Sequence, residues 1–173
     1  MPVSALPSRT GVGELGAYAY EFVEALGENG VKIWQILPLN PVGYGNSPYQ
    51  PYSSCAGDEI YISLDLLFEA GLLKAFSNFT ETEDFREFTR QPWVYEYAVF
   101  RAKKKANHKV CWNEWKEEDK IWPEVPAPLP KEQEDEAAYQ MFLQYEFYLQ
   151  WMEVKRRANE SGIQIMGDVP FYV

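Results

Sequence analysis

The chain has 173 residues, of which 46% are hydrophobic and 16% aromatic, a composition typical of a folded protein rather than a disordered one. Its formal net charge of −10 argues against partners that need a basic surface, namely nucleic acid and anionic membranes. No run approaches the roughly 18 apolar residues of a membrane span, and residues 1–11 lack the pattern of a signal peptide, so we expect a cytoplasmic protein.

The first residues predict a strand, a glycine-rich turn and a helix. Met1–Leu6 is apolar and ends at Pro7, which favours a short buried strand. Three glycines follow in the spacing G-x-G-x-x-G: Gly11, Gly13 and Gly16. This spacing is a weak sign of dinucleotide binding, because the fingerprint needs a tight strand-to-helix turn and residues 7–9 intervene. An acidic residue for the ribose is also missing after the next strand, so nucleotide binding is disfavoured.

A helix and a second strand complete the predicted opening unit. Ala17–Asn29 repeats apolar residues with the period of a helix, and Gly30 supplies its stop. Val31–Leu39 is apolar on both faces apart from Lys32 and Gln35, which favours a parallel strand covered by helices. Strand, helix and strand predict a right-handed parallel crossover.

The loop Pro38–Asp58 is the most distinctive stretch of the sequence. It contains four prolines, three glycines and three tyrosines, Tyr44, Tyr49 and Tyr52. Because proline fixes φ and glycine permits positive φ, we expect one bent shape. Aromatic faces beside hydroxyl and amide groups suit a sugar, which offers a C–H face and a rim of hydroxyls. A turn-rich connection whose tyrosines pack on their neighbours explains the same residues.

Helices dominate the middle of the chain. After a short extended piece at Ile60–Leu64, the periodicity predicts helices at Asp65–Ala70, Thr80–Arg90 with a capping box from Thr80 to Glu83, Trp93–Ala106 and Trp112–Asp119. Four prolines make Ile121–Lys131 stiff and extended. The longest predicted helix is Glu132–Asn159, with a buried stripe at Ala138, Met141, Phe142, Tyr145, Leu149 and Met152.

Asp168 is the sharpest single candidate for a functional residue. It lies in Ile163–Val173, which the pattern predicts as a buried strand, and a carboxylate in so apolar a run is costly unless it is paired or used. It serves either as a structural cap of backbone amides or as a site residue at a strand end. Glu14, Asp58 and Glu59 are the acids available for a carboxylate pair, and each reads as a solvated loop acid.

Metal and thiol chemistry have little support in the sequence. His108 is the one histidine and stands beside Lys109 without other ligands at metal spacing, so it reads as a surface residue. It also offers no Ser-His-Asp triad. Cys55 and Cys111 do not define a disulfide framework.

Three stretches resemble the amylomaltases, the family of 4-α-glucanotransferases also called disproportionating enzymes. They are residues 2–16 (PVSALPSRTGVGELG), 34–57 (WQILPLNPVGYGNSPYQPYSSCAG) and 162–173 (GIQIMGDVPFYV), with residues 141–163 fitting the same family. The sequence departs from the family pattern at several loop positions, for example at Asn46, where an Asp is expected and the charge is therefore lost.

The resemblance implies an α/β fold: the first three strands of a (β/α)₈ barrel, with a large helical insertion between the second and third. The implied parts are residues 1–59 with two strands and the substrate loop, 60–161 with the insertion, and 162–173 with the third strand. It also implies that Tyr49 stacks on the donor glucose, that Ser47 and Gln50 line its pocket, that Tyr44 contacts glucan nearby, and that Asp168 binds sugar hydroxyls.

In this family an α-1,4-glucan segment moves between maltooligosaccharides by a retaining double displacement, without metal or organic cofactor. The three catalytic carboxylates belong to later strands, so the resemblance assigns no catalytic residue here. We expect a piece of a larger enzyme that is inactive alone and needs the rest of its barrel. A glucan-binding module without turnover and a purely structural fragment are the alternatives.

Overall fold

A computed structural model describes residues 1–73 and 78–171 of the chain. The predicted insertion includes residues 74–77 and the predicted third strand includes residues 172–173, and those parts lie outside the described residues. The chain divides into two compact units, one of Met1–Thr80 with Glu146–Val173 and one of Glu81–Tyr145. The predicted division at residues 59/60 and 161/162 stays a prediction.

The first unit is built from short helices and two strands. Helix α1 is Ala17–Glu28, strand β1 is Ile33–Gln35, helix α2 is Leu64–Glu69 and strand β2 is Gln164–Met166. Residues 146–160 of the long helix α6, Lys131–Glu160, belong to the same unit. The predictions for α1 and α2 are confirmed, and both stop signals are as expected, since Gly30 and Gly71 adopt φ of +75° and +74°.

Strands β1 and β2 pair in parallel. The predicted crossover from Met1–Leu6 to Val31–Leu39 is wrong, because Val3–Ala5 form a 3₁₀ turn and not a strand. Trp34 lies opposite Ile165, and the ladder extends past both strands through Gln164 N to Lys32 O at 2.8 Å and Ile36 N to Met166 O at 3.0 Å. The pairing brings the carboxyl ends of the two strands to one edge. The loop 38–58 and Asp168 follow directly from that edge.

The prediction that both strands are completely buried is wrong. In β1 Trp34 is buried but Ile33 is 54% exposed, and β2 has no fully buried residue. The predicted strand from Ile163 to Val173 ends at Met166, opposite Gln35, where its partner strand β1 also ends. Beyond it Val169 is 76% exposed.

The predicted strand at Met1–Leu6 is also wrong, because Val3–Ala5 form a 3₁₀ turn. In such a turn side chains at i and i+3 lie on the same side. Val3 and Leu6 use this spacing to bury themselves, at 1% and 4% exposure. The sequence therefore correctly predicted that these two residues are buried, but it predicted a strand where the structure has a 3₁₀ turn.

Close packing accounts for two glycines of the G-x-G-x-x-G spacing. A Cβ on Gly13 would overlap the carbonyl oxygen of Val3 and lie 2.8 Å from Leu6 N, and a Cβ on Gly16 would lie 2.6 Å from Ser63 Oγ. The turn is folded against the chain's own backbone, which supports the sequence-based argument against a nucleotide.

The second unit holds helix α3, Glu83–Thr89, α4, Pro92–Ala106, α5, Glu117–Lys120, and the first half of α6. Thr82 caps α3 by accepting from Phe85 N, so the predicted capping box at Thr80 is wrong by two residues. The predicted helix Trp112–Asp119 is a 3₁₀ turn at Trp112–Glu114 followed by α5.

In the first unit, the extended piece predicted at Ile60–Leu64 is wrong at its start. Ile60 lies in a 3₁₀ turn, Glu59–Tyr61.

The buried face of α6 differs in part from the predicted stripe. Phe142 and Tyr145 are buried as predicted, whereas Leu149 and Met152 are 42% and 40% exposed. Gln150 is buried in the place of these apolar residues. Its side chain accepts from Ser63 N at 2.7 Å, so a hydrogen bond to backbone offsets the cost of burying an amide.

An ionic cluster fastens the end of α6 to α1. Arg157 donates to Glu153 at 2.8 Å and to Glu24 at 3.1 Å, and its guanidinium lies 4.2 Å from the centre of the Tyr20 ring. Hydrogen bonds from Arg156 and then from Arg157 lower the pKa of Glu153 to about 2, against burial. The carboxylate is thus stabilised in its charged form by two guanidinium groups.

Within the described residues, no helix is both long and apolar enough to cross a lipid bilayer. Cys55 and Cys111 are both free and exposed. His108 is exposed, as predicted.

We predict that Gly13→Ala lowers the free energy of unfolding by about 2 kcal/mol, because backbone atoms of Val3 and Leu6 occupy the space of the new methyl group. Urea unfolding measures the change. Gly167→Ala is the matched control, since a Cβ there meets nothing within 4 Å. Equal stability of the two variants would contradict the packing explanation.

We predict that Glu153→Gln flattens the acid limb of the stability profile. The folded pKa of Glu153 is about 2 against an ordinary 4.5, so its contribution is complete above pH 4.5 and disappears as the pH falls towards 2. Urea unfolding at several pH values across this window tests it. The exposed Glu118→Gln serves as control, and an acid limb unchanged in Glu153→Gln counts against the role of the cluster.

Candidate functional site

The loop 38–58 closes on itself through backbone pairs. Val42 and Pro51 form an antiparallel bridge, with Gly43 N donating to Gln50 O at 3.0 Å and Tyr52 N to Pro41 O at 2.9 Å. At its tip Gly45 and Asn46 adopt φ of +74° and +53°. Asparagine is among the few non-glycine residues that tolerate this region. The loop is bent, as predicted, and that it keeps this one shape stays a prediction.

A second set of contacts fixes the base of the loop. Asp58 N donates to Leu39 O at 2.8 Å, and the Asn40 side chain donates to Ala56 O at 2.9 Å. The Asp58 carboxylate accepts from Val42 N and Ile60 N at 3.3 and 3.1 Å. These bonds leave the loop little freedom, so its side chains are held in place before any ligand arrives.

Tyr49 and Asp168, 119 positions apart, meet at the edge where β1 and β2 end. The Tyr49 hydroxyl donates to Asp168 Oδ2 at 2.8 Å, and Val169 N donates to Asp168 Oδ1 at 2.9 Å. These contacts fit both predicted roles of Asp168. As a structural cap it accepts from a backbone amide, and as a site residue it accepts from the hydroxyl of a partly exposed tyrosine.

Phe171 is an aromatic neighbour of Tyr49 that the sequence pattern does not single out. Its ring centre lies 5.3 Å from that of Tyr49 at an angle of 35°, and the residue is 66% exposed. The pattern places it inside a buried strand. The sequence feature that could have indicated otherwise is Pro170, just before Phe171, because a proline has no N–H with which to continue a strand.

The hydrogen bond to Asp168 raises the pKa of the Tyr49 hydroxyl, with smaller contributions from burial and from the carboxylate charge. A phenol that donates to a carboxylate resists losing its proton, since ionisation would break the bond and bring two negative charges together. Tyr49 is thus a neutral donor and an aromatic face at physiological pH.

The other predicted residues lie in the same loop. Ser47 Oγ accepts from Tyr49 N at 3.3 Å, and Ser47 O accepts from Gln50 N at 3.1 Å. The Gln50 side chain is exposed. The backbone of Tyr44 lies in the 3₁₀ turn Tyr44–Asn46, and its side chain lies outside the described part of the chain. The roles of these residues in binding stay predictions.

The reading of Glu14 as a solvated loop acid is wrong. It is 8% exposed, and its carboxylate accepts from Ser63 Oγ at 2.8 Å. Asp58 caps backbone amides, as above, and Glu59 is half-buried in the 3₁₀ turn Glu59–Tyr61. Among the residues the structure describes, no group of three or more His, Cys, Asp or Glu side chains is placed to hold a metal ion.

Comparison with known proteins points to one family. The model of a family described as 4-alpha-glucanotransferase matches residues 1–78 and 70–173. The 4-alpha-glucanotransferase of Clostridium butyricum is 34% identical over 100% of this chain and 43% of its own length, and that of Thermus thermophilus is 34% identical over 98% and 41%. The chain therefore spans about two fifths of the length of these relatives.

The fold has a close counterpart among solved structures. An amylomaltase from Streptococcus agalactiae, in complex with acarbose, superimposes with a TM-score of 0.87 at 31% identity. The match covers 98% of this chain and 42% of that one.

We predict that Asp168→Ala returns the pKa of Tyr49 towards its ordinary value of 10.0, because the hydrogen bond that holds the proton is lost. NMR titration of tyrosines labelled with ¹³C at Cζ follows the change. Tyr20 is the internal control, since its raised pKa arises chiefly from burial and from Glu153. A Tyr49 titration identical in both proteins would show that the contact is absent in solution.

Proposed function

Because the chain belongs to the 4-alpha-glucanotransferase family, we propose that its loop 38–58 and Asp168 form a glucan-binding wall of a 4-α-glucanotransferase. The enzyme transfers α-1,4-glucan segments between maltooligosaccharides. The observation that carries the proposal is the hydrogen bond of Tyr49 to Asp168, which holds an aromatic face at the edge where two parallel strands end.

In the proposed architecture β1 and β2 are neighbouring strands of a (β/α)₈ barrel. Active sites of such barrels lie at the carboxyl ends of the strands. The loop follows β1 there, and Asp168 stands two residues after the end of β2. Residues 60–161 are the proposed helical insertion between them. A strand at Met1–Leu6 is not part of the proposal, since those residues include a 3₁₀ turn.

Tyr49 is the proposed platform for the donor glucose. A pyranose presents a face of C–H groups to an aromatic ring, and its hydroxyls project from the rim. With its hydroxyl fixed on Asp168, the ring is half-buried in one orientation, and Phe171 widens the apolar surface. Ser47 and Gln50 are the proposed hydrogen-bonding partners of the sugar rim, with Tyr44 nearby. Asp168 offers carboxylate oxygens to sugar hydroxyls.

The bonds of the glucan are broken and formed by groups outside these residues. In a retaining double displacement a carboxylate forms a covalent glycosyl-enzyme, and a carboxylic acid protonates the leaving oxygen and later deprotonates the acceptor. We assign both groups, and a third carboxylate that assists them, to the part of the enzyme that corresponds to the regions of the relatives not matched by this chain. The chain's own residues bind and orient the donor.

The proposal also includes a partner, the absence of a cofactor, a cellular location and a substrate. The rest of the barrel is the partner that covers the exposed strand faces. No metal or organic cofactor takes part in the reaction, and the protein acts in the cytoplasm. The α-1,4-glucan is the substrate, in keeping with the acarbose complex of the Streptococcus agalactiae amylomaltase.

We predict that Tyr49→Ala, made in the protein that carries this chain, lowers kcat/KM for maltotriose disproportionation about fivefold, since loss of an aromatic–sugar contact costs on the order of 1 kcal/mol. Glucose release measures the rate. Tyr18→Ala, which removes an exposed tyrosine from α1, is the control. Equal kinetics for Tyr49→Ala and wild type, or glucose release by the 173 residues alone, would contradict the proposal.

A further inference from the structure

A cavity of about 420 Å³ is lined by residues of the second unit, none of which belongs to the proposed donor site. Its volume falls in the range of roughly 300–1,000 Å³ that small-molecule pockets occupy. Tyr95, Val99 and Lys103 line one side of it at successive i, i+4 positions of α4, with Glu96 beside them. The stretch from Trp122 to Leu129 lines the other side.

Two prolines, Pro123 and Pro126, are among the residues that line the cavity, and each fixes its own φ. Residues 121–125 form a turn, in which Glu124 N and Val125 N donate to Ile121 O at 3.0 and 2.9 Å. The predicted extended connection Ile121–Lys131 is therefore wrong over these residues. Trp122 lies in this turn and lines the cavity.

One of the lining residues, Lys103, belongs to a buried ion pair, which we call the floor of the cavity. Lys103 is 7% exposed, and its ammonium donates to Asp119 Oδ1 at 2.6 Å. Asn107 donates to the other oxygen, Asp119 Oδ2, at 2.8 Å. Burial acts to raise the pKa of Asp119, but the hydrogen bonds from Lys103 and Asn107 outweigh it and keep the pKa below its ordinary value.

This floor retains donor capacity. An ammonium carries three N–H bonds, and in the part of the chain that the structure describes Asp119 is the acceptor that Lys103 reaches. Two N–H bonds remain for a ligand. Glu96, which is exposed on the same wall, supplies an acceptor.

The lining residues suit a ligand that both accepts and donates hydrogen bonds. The Lys103 ammonium needs an acceptor, and the Glu96 carboxylate needs a donor. A sugar hydroxyl can serve either residue. The faces of Trp122 and Tyr95 favour a ligand that also has an apolar surface.

We propose that this cavity is a second carbohydrate site, which holds a segment of the α-glucan by stacking on Trp122 and Tyr95 and by hydrogen bonds to Lys103 and Glu96. The proposal rests on the proposed function for the choice of glucan among polyhydroxylated ligands. The site adds a second point of attachment for glucan to the protein, so its loss lowers the affinity of the protein for glucan.

The test compares Trp122→Ala with Trp112→Ala in the protein that carries this chain. Trp112 is 60% exposed in the same unit and is not among the residues that line the cavity. Affinity electrophoresis through amylopectin and calorimetric titration with maltoheptaose measure binding. We expect Trp122→Ala to weaken binding about tenfold and Trp112→Ala to leave it unchanged, with kcat/KM for maltotriose unchanged in both.

Tyr95→Ala is a second test, in case Trp122→Ala fails to fold. Tyr95 is 52% exposed, so its truncation removes the other stacking face at little cost in stability. We expect it to weaken amylopectin binding in the same way. Wild-type affinity in both Trp122→Ala and Tyr95→Ala would overturn the second site. Glucan binding that depends on Trp122 in a protein without transfer activity would refute the proposed function and leave this inference standing.

Discussion

The parallel pairing of Ile33–Gln35 with Gln164–Met166 is the constraint on which the donor site depends. Only three residue pairs form the ladder, yet they join parts of the chain about 130 positions apart. Because the strands run in the same direction, both carboxyl ends open at one edge. Asp168 can then accept a hydrogen bond from Tyr49, which no local contact within the loop would allow.

The loop adds rigidity to this placement. Its backbone is closed by the Val42–Pro51 bridge and by the bonds around Asp58, and its tip carries two residues at positive φ. A binding surface that is ordered in advance loses less conformational entropy when a flexible glucan arrives. In the second unit, a turn at residues 121–125 places Trp122 in the lining of a cavity that also includes Lys103, a member of a buried ion pair. In both places turns of the backbone present aromatic side chains.

Much of this arrangement was accessible from the sequence, and the failures have physical causes. Helical periodicity located α1, α2, α4 and α6, and proline and glycine content indicated an ordered loop. The sequence-based prediction of a strand at Met1–Leu6 was wrong because a short apolar segment can bury its side chains in a 3₁₀ turn, at i and i+3, as well as in a strand. The contacts of Tyr49 with Asp168 and Phe171 were missed because they depend on the long-range pairing of β1 with β2. Glu14 was misread because its burial depends on Ser63, 49 positions away.

The most direct test of the account is a crystal structure of the protein that carries this chain, grown with maltotriose. The account predicts a glucose ring whose C–H face lies over Tyr49, with the tyrosine hydroxyl still within hydrogen-bond distance of Asp168. A sugar bound at the edge of the paired strands without contact to Tyr49, or a Tyr49 turned away from Asp168 in the complex, would contradict it.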